Sequence, residues 1–116
     1  MNLNTIKNPL LYIDTMVESI TFILEYAKDK TLTDYLSNSQ LQDAIHMRLQ
    51  LLGESASKLP VTFRDANPSV PWLEIRALRN VISHDYSSLK PEAIWSTIEN
   101  DLPILLQQLE KFKKGR

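Results

Sequence analysis

The chain has 116 residues, a length that suits one domain with a single modest core over residues 1–116. Its 43% hydrophobic and 23% charged content is ordinary for a soluble globular protein, and its formal net charge of −1 argues against coating nucleic acid by charge alone. With zero cysteines, a disulfide framework and a thiolate metal site are both excluded.

The first predicted helix begins near Pro9, because proline suits the first turn of a helix. Apolar residues then recur at spacings of three and four, which predicts one apolar stripe on a helix of about 20 residues. The stripe consists of Ile13, Val17, Ile20, Leu24 and Ala27. A connection follows over residues 29–38, with a short helical turn predicted at Thr33–Leu36.

Ser39 and Gln42 have the Ser-x-x-Gln spacing of a capping box, which predicts the start of a second long helix that ends at Pro60. Apolar side chains cover roughly half of its circumference, more than one neighbouring helix needs. This wide apolar face consists of Leu41, Ala44, Ile45, Met47, Leu51, Leu52, Ala56 and Leu59. Its width favours a central helix, or one that also meets a second subunit. Gly53 in the same helix indicates a close helix crossing.

Two polar residues of the second helix are interpreted differently. Arg48 projects from within the wide apolar face. Either its stem lies along the core with its head in water, or its cation is directed at an acidic partner or at a phosphate across a groove. His46 lies well off the apolar stripe, and we interpret it as a surface histidine.

The third helix is predicted to run from Pro71 to about Tyr86, after a short segment at residues 61–66. Pro91 suits the first turn of a fourth helix, which Pro103 should kink or interrupt. No stretch alternates with period two for long enough to suggest a sheet. The sequence therefore predicts an all-α fold, a bundle of four long helices plus short helical segments.

The last two turns of the predicted third helix contain four residues with distinct chemistry. Arg79 is a permanent cation with a planar fork that matches a phosphate, and His84 is suited to proton transfer near neutrality. Asn80 lies four residues before His84 and can hydrogen-bond one of its ring nitrogens. Tyr86 falls on the apolar side, where a half-buried ring with its hydroxyl at the surface is the alternative to a functional role. Arg79 and His84 together could position a phosphodiester and move protons during its cleavage.

A regular helix would separate Arg79 from His84 by about 140° and about 7.5 Å. Three arrangements would bring the two side chains together: a local bend, an arginine that reaches around the helix, or a second copy of the helix from another subunit. We favour the second copy, because a C2 axis near the third helix would place two copies of the motif in one cleft. The wide apolar face of the second helix fits such a homodimer.

The spacing Arg-x4-His-x-Tyr over residues 79–86 closely resembles the signature of the HepT-like HEPN ribonucleases. Residues 48–54 are similar to that family's second helix. Residues 71–72 before the motif, and Trp95 and residues 100–103 after it, also resemble the family pattern. The resemblance covers most of the chain, and these flanking segments make it far more specific than the short motif alone.

This resemblance implies the toxin of a toxin–antitoxin pair, a metal-independent endoribonuclease that acts on RNA as a homodimer and needs no cofactor. Arg79 would contact the phosphate, His84 would be the catalytic histidine and Asn80 would support it. The family also implies an MntA-like nucleotidyltransferase as antitoxin, which transfers AMP from ATP to the motif tyrosine, here Tyr86. A bulky anionic adenylate two residues from His84 would block the cleft and repel RNA phosphate.

We expect cleavage by the RNA's own 2′-hydroxyl, with His84 as general base or acid and Arg79 stabilising the transition state. A metal nuclease is disfavoured, because no cluster of Asp, Glu and His has ligand spacing on a common face. The alternative is a non-catalytic helical module that binds a nucleotidyltransferase, a nucleotide or RNA. No apolar run approaches the roughly 20 residues of a membrane-spanning helix and no signal peptide is evident, so we expect a cytoplasmic protein.

Overall fold

The computed structural model describes residues 8–80 and 90–114, and the side chains of all of these except Lys114. Every regular element in these ranges is helical, which confirms the predicted all-α fold. The helices are α1 (Pro9–Ala27), α2 (Leu32–Ser37), α3 (Ser39–Lys58), α4 (Val61–Asp65), α5 (Trp72–Ala77), α6 (Pro91–Ser96) and α7 (Leu102–Lys114). A 3-10 turn at Leu78–Asn80 continues α5, and a π-helical segment at Thr97–Asp101 joins α6 to α7.

The hydrophobic core lies where α1 packs along both α3 and α7. Of the stripe predicted for α1, Ile13, Val17 and Ile20 are buried, and the other two residues pack against the core from its edge. Burial of an aliphatic side chain of this kind stabilises a fold by about 1.5–3 kcal/mol. The contacts among these three helices therefore hold the bundle together. Within the described ranges, no helix has the length and apolarity needed to cross a membrane.

The starts of the first two helices follow from local capping. Asn8 Oδ1 accepts a hydrogen bond of 2.9 Å from Leu10 N, and Pro9 is the first residue of α1, as predicted. The short turn predicted after α1 is the helix α2, which a capping box begins. Thr31 Oγ1 accepts from Asp34 N at 3.1 Å, and Asp34 Oδ2 accepts from Thr31 N at 2.8 Å.

The predicted capping box at the start of α3 is wrong. Ser39 is already the first helical residue, and the cap is Asn38, whose Oδ1 accepts from Leu41 N at 3.0 Å. Gln42 does not reach back to a cap; its Nε2 donates to Tyr35 O at 2.8 Å and so connects α3 to α2. Asparagine and serine are equally good caps, so the spacing alone did not distinguish the two starting points.

The interpretation of His46 as a surface histidine is also wrong, because α2 covers that side of α3. His46 is 8% exposed, and its Nε2 lies 2.6 Å from the hydroxyl of Tyr35, which is itself 1% exposed. The Tyr35 ring in turn stacks on Trp95, with 5.3 Å between ring centroids. Burial lowers the pKa of His46 from its ordinary value, and the nearby Asp43 carboxylate offsets part of this effect. The histidine is therefore part of the packing between α2, α3 and α6.

The predicted third helix is not a regular α-helix over its described part. It starts at Trp72, is α-helical to Ala77 and then tightens into the 3-10 turn that ends at Asn80. Its predicted end near Tyr86 lies outside the described residues. A change from α to 3-10 geometry alters the angle between successive side chains from that of a regular helix. The separation of about 140° predicted between Arg79 and His84 assumed a regular α-helix. Because Arg79 lies in a 3-10 turn, this assumption does not hold for the described turn.

Pro103 interrupts the fourth helix as predicted. Proline has no N–H to give to the carbonyl four residues earlier, and its ring crowds the preceding turn. The helix adapts by widening just before the proline, where Leu102 N donates to Thr97 O across a five-residue π step. The widened turn keeps Ile98 and Leu102 buried, so the core continues from α6 into α7.

Candidate active site

Gly53 of α3 lies where this helix crosses the backbone of Arg79, the first residue of the motif. A Cβ atom at this position would collide with Arg79 N and lie 3.0 Å from both Arg79 Cα and Ile75 O. Only a residue without a side chain allows the two backbones to approach this closely. The crossing predicted from Gly53 is therefore confirmed, and the backbone that crosses it is that of Arg79.

The Arg79 side chain is exposed and anchored at one edge. Its Nη1 donates to Ser57 Oγ at 3.2 Å, and the Ser57 hydroxyl donates to Gly53 O at 3.0 Å. Gly53 thus positions Arg79 twice, through the close backbone contact and through the serine hydrogen bond. Among the described residues this is the one hydrogen bond to the Arg79 guanidinium, and it leaves most of the five N–H groups open within that part of the chain, which suits anion binding.

The remaining motif residues are described only in part. Asn80 follows Arg79 at the end of the 3-10 turn and is half-buried. His84 and Tyr86 lie outside the described residues, so the predicted Arg79–His84 and Asn80–His84 pairings stay predictions. Their roles, and the homodimer that was favoured to bring them together, also stay predictions.

Arg48 turns toward α1 and forms two interactions there. Its Nη1 lies 3.7 Å from Glu18 Oε1, and its guanidinium carbon lies 4.2 Å from the centroid of the Phe22 ring. The sequence left open whether the Arg48 cation is directed at an acidic partner. Such a partner is present within this chain, since Glu18 is acidic. The cation–π contact and the ion pair direct the charge to α1.

Ser57, Arg64 and Arg76 were not singled out from the sequence. Ser57 anchors the Arg79 guanidinium, while Arg64 and Arg76 line a cavity of about 880 Å³ between α4 and α5. The only sequence signal for Ser57 was its position four residues after Gly53, one helical turn along α3. Arg76 had a similar signal, since it lies three residues before Arg79.

Two carboxylates, those of Asp65 and Glu74, line the same cavity as Arg64 and Arg76. In the part of the chain that the structure describes, no group of three Asp, Glu or His residues is placed to hold a metal ion. The chemistry that the described residues offer is cationic, from Arg79 and its neighbours, and it suits the binding of a phosphate.

The all-α bundle together with the spacing Arg-x4-His-x-Tyr places the chain in the HEPN class of helical domains. Within that class, the chain belongs to the HepT-like ribonuclease family, because the family model described as "Ribonuclease HepT-like" matches residues 16–112. The match includes the Gly53 crossing and the whole motif.

Individual relatives agree with this assignment. A Methanocaldococcus jannaschii protein described as a gamma-glutamylcyclotransferase and candidate RNase is 32% identical over 105 residues, 90% of this chain and 47% of that protein. The chain thus spans about half the length of this relative. A "Probable ribonuclease HepT" of Thermococcus cleftensis is 28% identical and covers 89% of this chain and 94% of its own length. A candidate RNase of Caldanaerobacter subterraneus is 30% identical, over 90% of this chain and 94% of that protein. The comparison with solved structures gave no significant match.

Proposed function

We propose that this chain is the toxin of a toxin–antitoxin pair and a metal-independent endoribonuclease. The observation that carries the proposal is the anchored, open guanidinium of Arg79 at the Gly53 crossing, in a chain whose family match spans the Arg-x4-His-x-Tyr motif. The names of the relatives, which include a probable ribonuclease HepT, support RNA as the substrate class.

The proposed reaction uses the 2′-hydroxyl of the substrate as the nucleophile. This oxygen attacks the adjacent phosphorus, the bond from phosphorus to the 5′-oxygen breaks, and the products are a 2′,3′-cyclic phosphate and a 5′-hydroxyl. His84 removes the 2′-hydroxyl proton or donates a proton to the leaving oxygen, as general base or general acid. Arg79 stabilises the extra negative charge on the phosphorane-like transition state. DNA lacks the 2′-hydroxyl and is not cleaved.

The proposed active form is a homodimer with the two motifs in one cleft. A closed C2 arrangement would set Arg79 of one copy near His84 of the other. The part of the wide α3 face that the single chain leaves accessible supports this arrangement, since Met47 is 53% exposed there. A cleft that contains two guanidiniums would attract RNA by its local field although the net charge of the chain is −1.

The proposed antitoxin is an MntA-like nucleotidyltransferase that modifies Tyr86. Its reaction would transfer AMP from ATP to the tyrosine oxygen and release pyrophosphate. An adenylate adds a bulky group and a negative charge two residues from His84. It would therefore exclude RNA from the cleft both by volume and by repulsion of the RNA phosphates.

The proposal is tested by incubating RNA with wild type, Arg79→Ala and His84→Ala, each with and without EDTA. We expect wild type to cleave in both conditions and both variants to lose at least about 100-fold in rate. Mass spectrometry of the same samples must show Tyr86 unmodified, and protein produced together with a neighbouring nucleotidyltransferase should gain AMP there. Cleavage that survives both substitutions would reject the site. Absence of cleavage by unmodified wild type would favour the non-catalytic binding module.

A further inference from the structure

Two arginines outside the motif share one cavity. Arg64 of α4 and Arg76 of α5 both line the space of about 880 Å³ between these helices. A cavity of this size is large enough for a nucleotide unit. Its wall is held in place by Asn67, whose carbonyl accepts from Trp72 Nε1 at 2.9 Å and whose Nδ2 donates to Phe63 O at 2.8 Å. These two bonds fix Trp72, which forms part of the cavity wall.

Neither arginine has a partner among the described residues. The Nε atoms of Arg64 and Arg76 are shielded from solvent and form no hydrogen bond. Asp65 and Glu74 line the same cavity, but in residues 8–80 and 90–113 neither carboxylate forms an ion pair with these arginines. Both arginines are thus half-buried, with Nε packed against the protein and with no close ion pair among the described residues. An arginine in this state is prepared to bind an anion with its planar fork.

The cavity begins one helical turn from the proposed active site. Arg76 lies three residues before Arg79, and in the passage from α5 to the 3-10 turn such positions are neighbours on the helix surface. The two like charges repel each other when no anion is present. A chain of phosphates that passes both residues would relieve this repulsion.

We infer that Arg64 and Arg76 form a second nucleotide subsite, which holds a phosphate of single-stranded RNA next to the scissile one on Arg79. This inference rests on the proposed function, because it assumes that RNA lies across Arg79. The subsite binds and orients substrate and takes no part in the proton transfers. It lengthens the contact between protein and RNA beyond the cleaved bond.

The rest of the cavity lining suits a single-stranded nucleotide better than a free anion. Val61 and Leu73 line the cavity and are 60% and 75% exposed, so they offer apolar surface to the face of an unstacked base. The carboxylates of Asp65 and Glu74 can accept hydrogen bonds from base amino groups and would repel a phosphate placed on their side. A nucleotide with its phosphate on the arginines and its base on the apolar surface satisfies both sides of the cavity.

The test compares two double variants with the same change in net charge. Arg64→Gln with Arg76→Gln removes the proposed subsite. Lys28→Gln with Lys30→Gln is the control, because these lysines line a separate cavity that shares no residue with the first. Each protein is assayed for cleavage of a short single-stranded RNA and of a substrate with one internucleotide phosphate. Affinity for a 2′-O-methyl version of the longer RNA, which cannot be cleaved, is measured by fluorescence anisotropy at several salt concentrations.

For the arginine variant we expect KM on the longer RNA to rise about tenfold with kcat little changed, because the phosphate held by the subsite does not react and is bound equally in the ground state and the transition state. The slope of log affinity against log salt should fall by about 0.7 for the loss of one phosphate contact. The shortest substrate and the lysine control should behave like wild type. Circular dichroism and thermal unfolding establish that both double variants are folded.

The subsite is rejected if wild type cleaves RNA and the arginine variant has an unchanged KM, or if the lysine control changes KM equally. That result would leave the proposed function intact. Failure of the proposed function is a different outcome, in which unmodified wild type cleaves no RNA. The anisotropy measurement then decides alone: binding that depends on both arginines supports the subsite, and binding that does not overturns it. The subsite would also be overturned if a mononucleotide bound in a way that depends on both arginines while RNA affinity and RNA cleavage stayed unchanged in the arginine variant.

Discussion

The backbone of Arg79 lies directly against Gly53, so closely that a Cβ atom on residue 53 would be 3.0 Å from Arg79 Cα and would collide with Arg79 N. Both obstructing atoms belong to the backbone, which cannot rotate away as a flexible side chain can. The position of the proposed phosphate-binding arginine therefore depends on the absence of a side chain on a different helix. Stability and activity are linked at this contact.

Gly53→Ala should consequently lower both stability and RNA cleavage. Alanine is favoured over glycine inside a helix by about 1 kcal/mol, but forcing a methyl group into a closed contact costs about 1–3 kcal/mol. We expect the steric cost to win because α3 and the Arg79 backbone must separate, with a net loss of about 1 kcal/mol or more in the free energy of unfolding. Denaturant unfolding measures the loss, and the rate of RNA cleavage reports the displacement of Arg79. Gln40→Ala, at an exposed position of the same helix, should change neither quantity. A Gly53→Ala protein as stable as wild type would contradict the close packing.

Ser57→Ala should reduce cleavage less than Arg79→Ala does. The hydroxyl of Ser57 orients the guanidinium through one hydrogen bond of 3.2 Å, and its loss leaves the charge in place but less well positioned. We expect kcat to fall about tenfold or less for Ser57→Ala, and at least about 100-fold for Arg79→Ala. In the Arg79→Ala background, Ser57→Ala should have no further effect, because the interaction is already absent.

Ser37→Ala is the matched control for this prediction. Ser37 also donates to the carbonyl four residues earlier, at 2.9 Å from Thr33 O, but it lies on α2 and contacts no arginine among the described residues. Its substitution removes the same kind of back-bonded hydroxyl. Equal losses of activity from Ser37→Ala and Ser57→Ala would show that the helix, rather than Arg79, is affected.

The long helices could be predicted from the sequence because their signals are local and repeated. Pro9 started α1, Pro103 disturbed the fourth helix, and Gly53 indicated a close crossing. Each of these residues constrains the backbone by itself, whatever packs around it. The partner in the Gly53 crossing could not be predicted in the same way, since the sequence does not say which backbone comes near.

The wrong predictions concern features that the local sequence pattern of one helix does not determine. His46 lies off the α3 stripe and was therefore assigned to the surface, but α2 packs over it and brings the Tyr35 hydroxyl to 2.6 Å. Because residues 29–38 were treated as a connection with one short turn, nothing in the pattern predicted that they would cover α3. The third helix was predicted as regular because Ile75, Leu78, Ile82 and Tyr86 fall on one face at spacings of three and four. The described pair in this set, Ile75 and Leu78, is three residues apart, a spacing that fits both α and 3-10 geometry.

Tyr35→Phe should destabilise the fold by about 1 kcal/mol, the usual cost of losing a buried hydrogen bond. The ring still stacks on Trp95, so the loss isolates the hydroxyl that contacts His46 Nε2. Denaturant unfolding provides the measurement. Tyr12→Phe is the control, because Tyr12 is half-buried and its hydroxyl forms no hydrogen bond in the described part of the chain. If both variants lose the same stability, the Tyr35–His46 bond contributes nothing of its own.

The stability of the protein should fall as the pH drops through the titration range of His46. Burial lowers the pKa of this imidazole from its ordinary value of 6.5, so the unfolded chain binds the proton more readily than the folded one. Acid therefore favours unfolding: the contribution of His46 is complete above about pH 6.5 and is lost as the pH falls from there toward the lower pKa of the folded state.

The measurement is the free energy of unfolding of wild type and His46→Gln at a series of pH values. The free energy of unfolding of wild type minus that of His46→Gln should decrease below about pH 6.5, because glutamine does not titrate. The carboxylates contribute equally in both proteins and cancel in this difference. A difference that stays constant across this range would show that His46 is equally protonated in the folded and unfolded states, and would contradict a lowered pKa of His46 in the folded protein.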